Sequence, residues 1–288
     1  MAARGRKSIF ITGAASGIGR ATALLFAEKG WFVGGFDVNA QGLQSLAQEL
    51  GNDNCVTGRL DVTDKKTFDD AVAAFGAETG GTMDVLFNNA GIGESGFFED
   101  VPYEAALRVV QVNFVGVLNG IYAALPLLKA TKNSLCFTTS SSSATYGMPR
   151  LAVYSATKHA VKGLTEALSI EFARHGIRAA DTLPGLIDTA ILRNTPNRSD
   201  ATRSADETET LLAQAPKKGP FRLIPPRMVA EAVWNAYGSD RLHWYVPPEI
   251  AWIDRIKGIA PEFMRARIQK MIGGIASGEA KRQLSDGK

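Results

Sequence analysis

The stretch Thr12-Gly13-Ala14-Ala15-Ser16-Gly17-Ile18-Gly19 follows a short apolar run, Ser8–Thr12, and opens a helical pattern over Gly17–Lys29. Ile18, Ala21, Leu24, Leu25 and Ala27 fall on one side of that helix, its expected buried face. Glycines at such a strand-to-helix turn let the backbone bend sharply and approach a pyrophosphate closely. The helix N-terminus adds free N–H donors and a positive dipole end. The spacing is G-x3-G-x-G rather than G-x-G-x-x-G, so its weight comes from its position between a strand and a helix.

Outward from this turn the same alternation repeats. Strand-like runs are read at Phe32–Asp37, Asn54–Leu60, Met83–Phe87, Ser134–Thr139, Ile177–Leu183 and Leu242–Val246. Helical patterns are read at Gln41–Leu50, Asp64–Glu78 with Asp64 as N-cap, Tyr103–Lys129, Tyr154–Arg174 and Pro226–Tyr237. Near-continuous apolar strands alternating with helices predict an α/β fold, a doubly wound parallel sheet of about seven strands with helices on both faces. One domain over 1–288 is expected. Residues 190–220, polar over Asn194–Lys218, read as a mobile substrate cover. Residues 247–288 read as a helical C-terminal extension, with an apolar stripe over Ala251–Ile272 that packs on the core, on a second subunit or, less favoured, on a membrane surface.

Composition excludes several classes. Of 288 residues, 45% are hydrophobic and 21% charged, enough for a substantial core without metal or disulfide staples. A net charge of +3 is too balanced for an electrostatic nucleic-acid binder. Cys55 and Cys136 form no disulfide framework and are expected in buried strands; no CxxC or HxxxH spacing suggests a metal. The basic lead-in 1–8 is followed by only three apolar residues, Ile9–Ile11, so no secretory signal is read and a cytoplasmic protein is expected. Twenty uncharged residues, Val109–Leu128, are long enough to span a bilayer, but Gln111, Asn113, Asn119 and Pro126 interrupt them and a buried helix is expected.

Three further features carry chemistry. Asp37 ends the second strand, where a dinucleotide fold faces the adenosine ribose. A carboxylate there accepts the ribose hydroxyls of NAD and repels a 2′-phosphate, which favours NAD over NADP. Arg20 lies just past the turn and is expected to face solvent. Tyr154 and Lys158 stand one helical turn apart on one face. A tyrosine acting as a base near neutrality needs its pKa lowered by about three units, and a neighbouring ammonium and a cationic nicotinamide are charges that supply such a shift. One hydroxyl of the run Ser140–Ser143 can hold a substrate oxygen.

With these residues in view, the chain resembles the short-chain dehydrogenase/reductase family over about residues 7–190. The resemblance rests on Thr12-Gly-x3-Gly-Ile-Gly19, Asp61 after the third strand, and Asn88-Asn89-Ala90-Gly91 after the fourth. It extends through Asn113, a serine thirteen positions before tyrosine, Tyr154-x3-Lys158, and Pro184-Gly185 followed by Thr189. It implies a Rossmann-type fold and hydride exchange between a nicotinamide and a secondary alcohol or ketone. Ser141 is then selected from the serine run to hold the oxyanion, Tyr154 passes the proton, Lys158 assists it and binds ribose, and Asn113 steadies a relaying water. Gly13, Ser16, Gly17, Ile18 and Gly19 would cradle the cofactor. Asp61 and Val62 would contact adenine, Asn89, Ala90 and Gly91 would line the cofactor, and Pro184, Gly185, Ile187 and Thr189 would reach the carboxamide. A homodimer or homotetramer through the two long helices is implied as well. The chain departs from the family at Arg178-Ala179-Ala180-Asp181, where an asparagine is usual, and in lacking a glycine-rich close after the last strand.

Gly93, Phe97, Tyr146, Met148, Leu186 and Leu192 are expected to wall a mostly apolar substrate pocket. Two alternatives remain at this stage, an NADPH-dependent ketone reductase and a non-catalytic dinucleotide-binding sensor or scaffold. The three histidines, His159, His175 and His243, are expected to be structural or exposed.

Overall fold

A computed structural model describes residues 5–199 and 205–270. Its strands are β1 (Ser8–Thr12), β2 (Phe32–Asp37), β3 (Cys55–Arg59), β4 (Val85–Asn88), β5 (Leu135–Thr139), β6 (Arg178–Pro184) and β7 (His243–Val246). They form one parallel sheet in the order β3-β2-β1-β4-β5-β6-β7. The order reverses beside β1, so the chain leaves β1 and β4 in opposite lateral directions. Their C-terminal ends open a crevice, the usual ligand position in an open α/β sheet.

The helices are α1 (Gly17–Glu28), α2 (Ala40–Leu50), α3 (Lys65–Thr79), α4 (Tyr103–Val110), α5 (Gly116–Lys129), α6 (Ala152–Glu171), α7 (Ala190–Asn194), α8 (Ala205–Ala213), α9 (Pro226–Tyr237) and α10 (Ile250–Ile259). On one face of the sheet, Phe10 stacks on Phe36 at 4.4 Å and meets Phe75 of α3 edge-on at 5.5 Å. Val117, Ile121, Ala124 and Leu128 of α5 join that core, so one side of the long uncharged stretch packs inside the protein. On the other face Trp31 meets Phe26, Trp234 and Tyr237, which ties α1 to α9.

Arg178 and Asp181, where the chain departs from its family, have structural employment. The Arg178 guanidinium donates to the carbonyls of Ala236, Tyr237 and Ser239 and closes the C-terminal end of α9. Asp181 is fully buried and bonds His243 at 2.7 Å. Burial opposes the charged imidazole, but the Asp181 carboxylate outweighs it and the His243 pKa lies above the ordinary value.

Several expected boundaries shift. The predicted helix Tyr103–Lys129 is interrupted by a π-helical turn, Gln111–Val115, with Asn113 inside it. The C-terminal stripe is two helical stretches, α10 and residues 261–270, broken at Ala260 with Pro261 following; positions 271–288 lie outside the described residues. Cys136 is buried, and its thiol pKa is pushed up to about 12. Cys55 is only half-buried, because β3 is the edge strand and has no neighbour on its outer side.

Candidate active site

A cavity of about 2370 Å³ runs across the C-terminal ends of the strands. At one end is the glycine turn. Gly13 and Gly17 take φ of +68° and +54°, a left-handed conformation that favours glycine. A Cβ at Gly19 would stand 2.1 Å from the Gly13 carbonyl oxygen, so α1 can start this close to the turn only with hydrogen there. Asn39 and Asp64 cap α2 and α3 with their side chains, whereas the Ser16 side chain makes no cap to α1. The opening N–H groups of α1 therefore remain available to an anion beside Ser16, Gly17 and Ile18, all of which line the cavity.

Asp37 is held where it can read a ligand. Its carboxylate accepts from the Ala15 N–H at 3.0 Å and from the Asn39 N–H at 2.9 Å, one bond per oxygen. Each oxygen keeps acceptor capacity towards the cavity. Arg20 is not a free solvent-facing cation: it pairs with Glu49 at 2.6 Å and reaches Ser45, which holds it against α2. Asp61 is fixed by Thr63, whose hydroxyl and N–H donate to it and lower its pKa. These groups suit the phosphate and ribose portions of a dinucleotide.

At the centre of the cavity floor stand Ser141, Tyr154 and Lys158. Ser141 accepts from the Ser143 N–H at 3.1 Å and stands beside Tyr154, whose pKa its hydroxyl lowers. Lys158 is 4% exposed, donates to the Thr139 carbonyl at 2.8 Å, and places Nζ 5.7 Å from the centre of the Tyr154 ring. Burial pushes the Lys158 ammonium down to about 8. Burial also raises the Tyr154 phenol, against the smaller opposing effect of Ser141. The expected lowering of the Tyr154 pKa is thus not supplied by the chain alone, because desolvation exceeds the opposing effect of Ser141.

Of the expected site residues, Gly13, Ser16, Gly17, Ile18, Asp37, Asp61, Val62, Asn89, Ala90 and Gly91 line this cavity, as do Pro184, Gly185, Ile187 and Thr189. The pocket residues Gly93, Tyr146, Met148, Leu186 and Leu192 line it too. Three expected positions are placed elsewhere. Gly19 lies buried behind Gly13. Phe97 turns its ring to the Arg150 guanidinium at 5.3 Å and is no part of the cavity wall. Asn113 is fully buried behind Gly91, its amide accepting from and donating to the Ile92 backbone at 2.9 Å each way. Its side chain positions the loop that carries Gly91.

The polar stretch after β6 is bonded to the loop after β4 over its first part. Glu94, 9% exposed, pairs with Arg198 at 2.6 Å, and Ser95 and Arg198 exchange backbone bonds with the cover segment and the loop after β4. Arg193 pairs with Asp188 and Glu209, linking α7 to α8. Sequence reasoning missed Glu94; a lone carboxylate within Gly91–Phe97 was the available signal. It also missed Thr12, whose hydroxyl accepts from the N–H groups of Asn89 and Ala90, and the cavity positions Ile253, Met264, Arg267 and Ile268.

Residues 7–200 match the family model described as short chain dehydrogenase. The chain belongs to that family. The putative oxidoreductase SadH of Mycobacterium tuberculosis is 33% identical over 284 residues, 96% of each chain. The cyclohexanol dehydrogenase of an Acinetobacter species is 34% identical over 190 residues, 65% of this chain and 75% of that one. A crystal structure of a short chain dehydrogenase/reductase from Burkholderia phymatum, in complex with NAD, superposes with a TM-score of 0.78 at 26% identity, covering 90% of this chain and 95% of that one. This short-chain dehydrogenase is accordingly an oxidoreductase by family, and its Rossmann-like sheet is the family's.

Proposed function

We propose that the protein is an NAD(H)-dependent oxidoreductase for secondary alcohols and ketones, with Tyr154 as acid and base. The observation that carries this reading is that Ser141, Tyr154 and Lys158 line one cavity together with the glycine turn and Asp37, with the Lys158 ammonium 5.7 Å from the Tyr154 ring centre. A nicotinamide, when bound, supplies or accepts the hydride. Tyr154 holds the proton destined for the substrate oxygen, and its raised pKa keeps the phenol protonated for carbonyl reduction. Alcohol oxidation runs through the phenolate, which the Lys158 ammonium favours by its charge. Ser141 orients the oxygen and supports its developing charge. Asn113 acts through the Gly91 loop as a positioning residue.

NAD(H) is favoured over NADP(H) by Asp37 and by the engagement of Arg20 with Glu49, which leaves that cation unavailable to a 2′-phosphate. The NAD-bound relative supports the same choice. Tyr146, Met148, Leu186 and Leu192 favour an apolar substrate, and the relative that acts on cyclohexanol supports a cyclic secondary alcohol. The exposed side chains of Tyr103, Tyr122 and Ile170 on α4, α5 and α6 offer a face for a homodimer.

Tyr154→Phe is expected to keep NADH binding while losing turnover of cyclic secondary alcohols by about a hundredfold or more. Full activity in that variant overturns the role given to Tyr154.

A further inference from the structure

α10 and residues 261–270 carry apolar side chains on two sides. Ile253, Met264 and Ile268 line the cavity. Trp252, Ile256 and Ile259 of α10, spaced by four and three residues, and Phe263 beyond the break at Ala260 turn to solvent and are 63%, 39%, 86% and 54% exposed. Exposed apolar residues scattered singly are ordinary, but a row at helical spacing marks an interaction face.

We propose that this row docks the protein on an anionic lipid surface. Residues 250–270 hold five cations, Arg255, Lys257, Arg265, Arg267 and Lys270, against two carboxylates, Asp254 and Glu262. Both carboxylates are committed, Asp254 to Lys162 at 2.7 Å and Glu262 to Arg265 at 2.8 Å. Among the described residues no carboxylate pairs with Arg255, Lys257, Arg267 or Lys270. Arg255 lies 5.0 Å from the ring centre of Trp252, beside the exposed side chains, and Arg267, which also borders the cavity, lies 5.8 Å from that of Phe263. The excess of +3 falls within 21 residues that also carry the exposed apolar side chains.

Aromatic and aliphatic side chains flanked by unneutralised basic ones form the composition of a helix lying in a membrane interface. Each basic residue adds attraction to anionic headgroups. A second copy of the chain fits less well, because a two-fold contact across this row lays the same cations against one another. Docking by the outer side of these helices brings the cavity wall on their inner side next to the lipid, a short path for an apolar substrate. The proposal goes beyond the catalytic reading and does not depend on it.

Sedimentation of the full-length protein with phosphatidylcholine vesicles, with and without phosphatidylglycerol, tests this. Binding at least about tenfold stronger to the phosphatidylglycerol vesicles, and weakened by salt, is expected. The double variant Ile259→Asp, Phe263→Asp is expected to stay in the supernatant while its NADH binding is unchanged. Arg255→Gln with Lys257→Gln, which leaves the apolar row intact, is expected to weaken binding about tenfold. Equal binding to both vesicle types, or no binding to either, overturns the proposal. So does a wild-type dimer that the double variant converts to monomer, which assigns the row to a second copy.

Discussion

Lys158 is a cation almost wholly buried, and its place in the site costs stability. Its pKa falls from 10.5 to about 8, equivalent to about 3 kcal/mol of disfavoured charge. The folded pKa lies below the unfolded one, so between pH 8 and 10.5 the unfolded chain binds more protons. The cost is therefore complete below pH 8 and is relieved as pH rises through that window. Lys158→Met is expected to be more stable than wild type at pH 7 by about 1–2 kcal/mol, since the lost bond to Thr139 offsets part of the gain. The advantage should shrink towards pH 10, and turnover should be lost. Denaturant midpoints at the two pH values check this, and a variant less stable at pH 7 would refute the account.

At the scale of elements, the turn into α1 and the segment after α7 depend on single side chains or their absence. Gly19→Ala places a methyl group against the Gly13 carbonyl, a backbone atom that cannot swing aside. A loss of about 1–3 kcal/mol in unfolding free energy and weaker dinucleotide binding are expected. Thermal unfolding like wild type would mean that α1 shifts freely. Glu94→Gln removes the buried charge that Arg198 meets, leaving the bonds between Ser95 and the cover without that support. Faster hydrogen exchange at the amides of Ser95 and Arg198 is the expected readout, with α3 unchanged as the internal control. The long helix through Asn113 shows the same dependence of function on local geometry. Its π turn falls where a side chain must reach the Gly91 loop, in keeping with the frequent use of π-helical turns at functional sites.

At the scale of the whole molecule, the cavity joins the β1 and β4 ends of the sheet, so a bound dinucleotide ties the two halves together. Ligand at a hundred times its Kd stabilises by about 2.7 kcal/mol. NADH is expected to raise Tm by several degrees, and NADPH at equal concentration by clearly less, because of Asp37. A larger shift with NADPH would mean that another basic group overrides Asp37.

The amino-acid sequence by itself determined the alternation of strands and helices, the phosphate turn, the placement of Asp37 at a strand end and the Tyr154/Lys158 pair. All of these are written in local spacing, period and turn chemistry, which short segments carry on their own. Only the tertiary structure decided which residues share a surface: that Glu94 anchors Arg198 across 104 positions, that Asn113 is turned away from the cavity, that Phe97 packs on Arg150, and that burial drives Lys158 and Tyr154 in opposite directions. It likewise separated the C-terminal stripe into a side that faces the cavity and a side that faces solvent. Contact between distant segments and the removal of water around a charge are properties of the packed chain, and no local pattern encodes them.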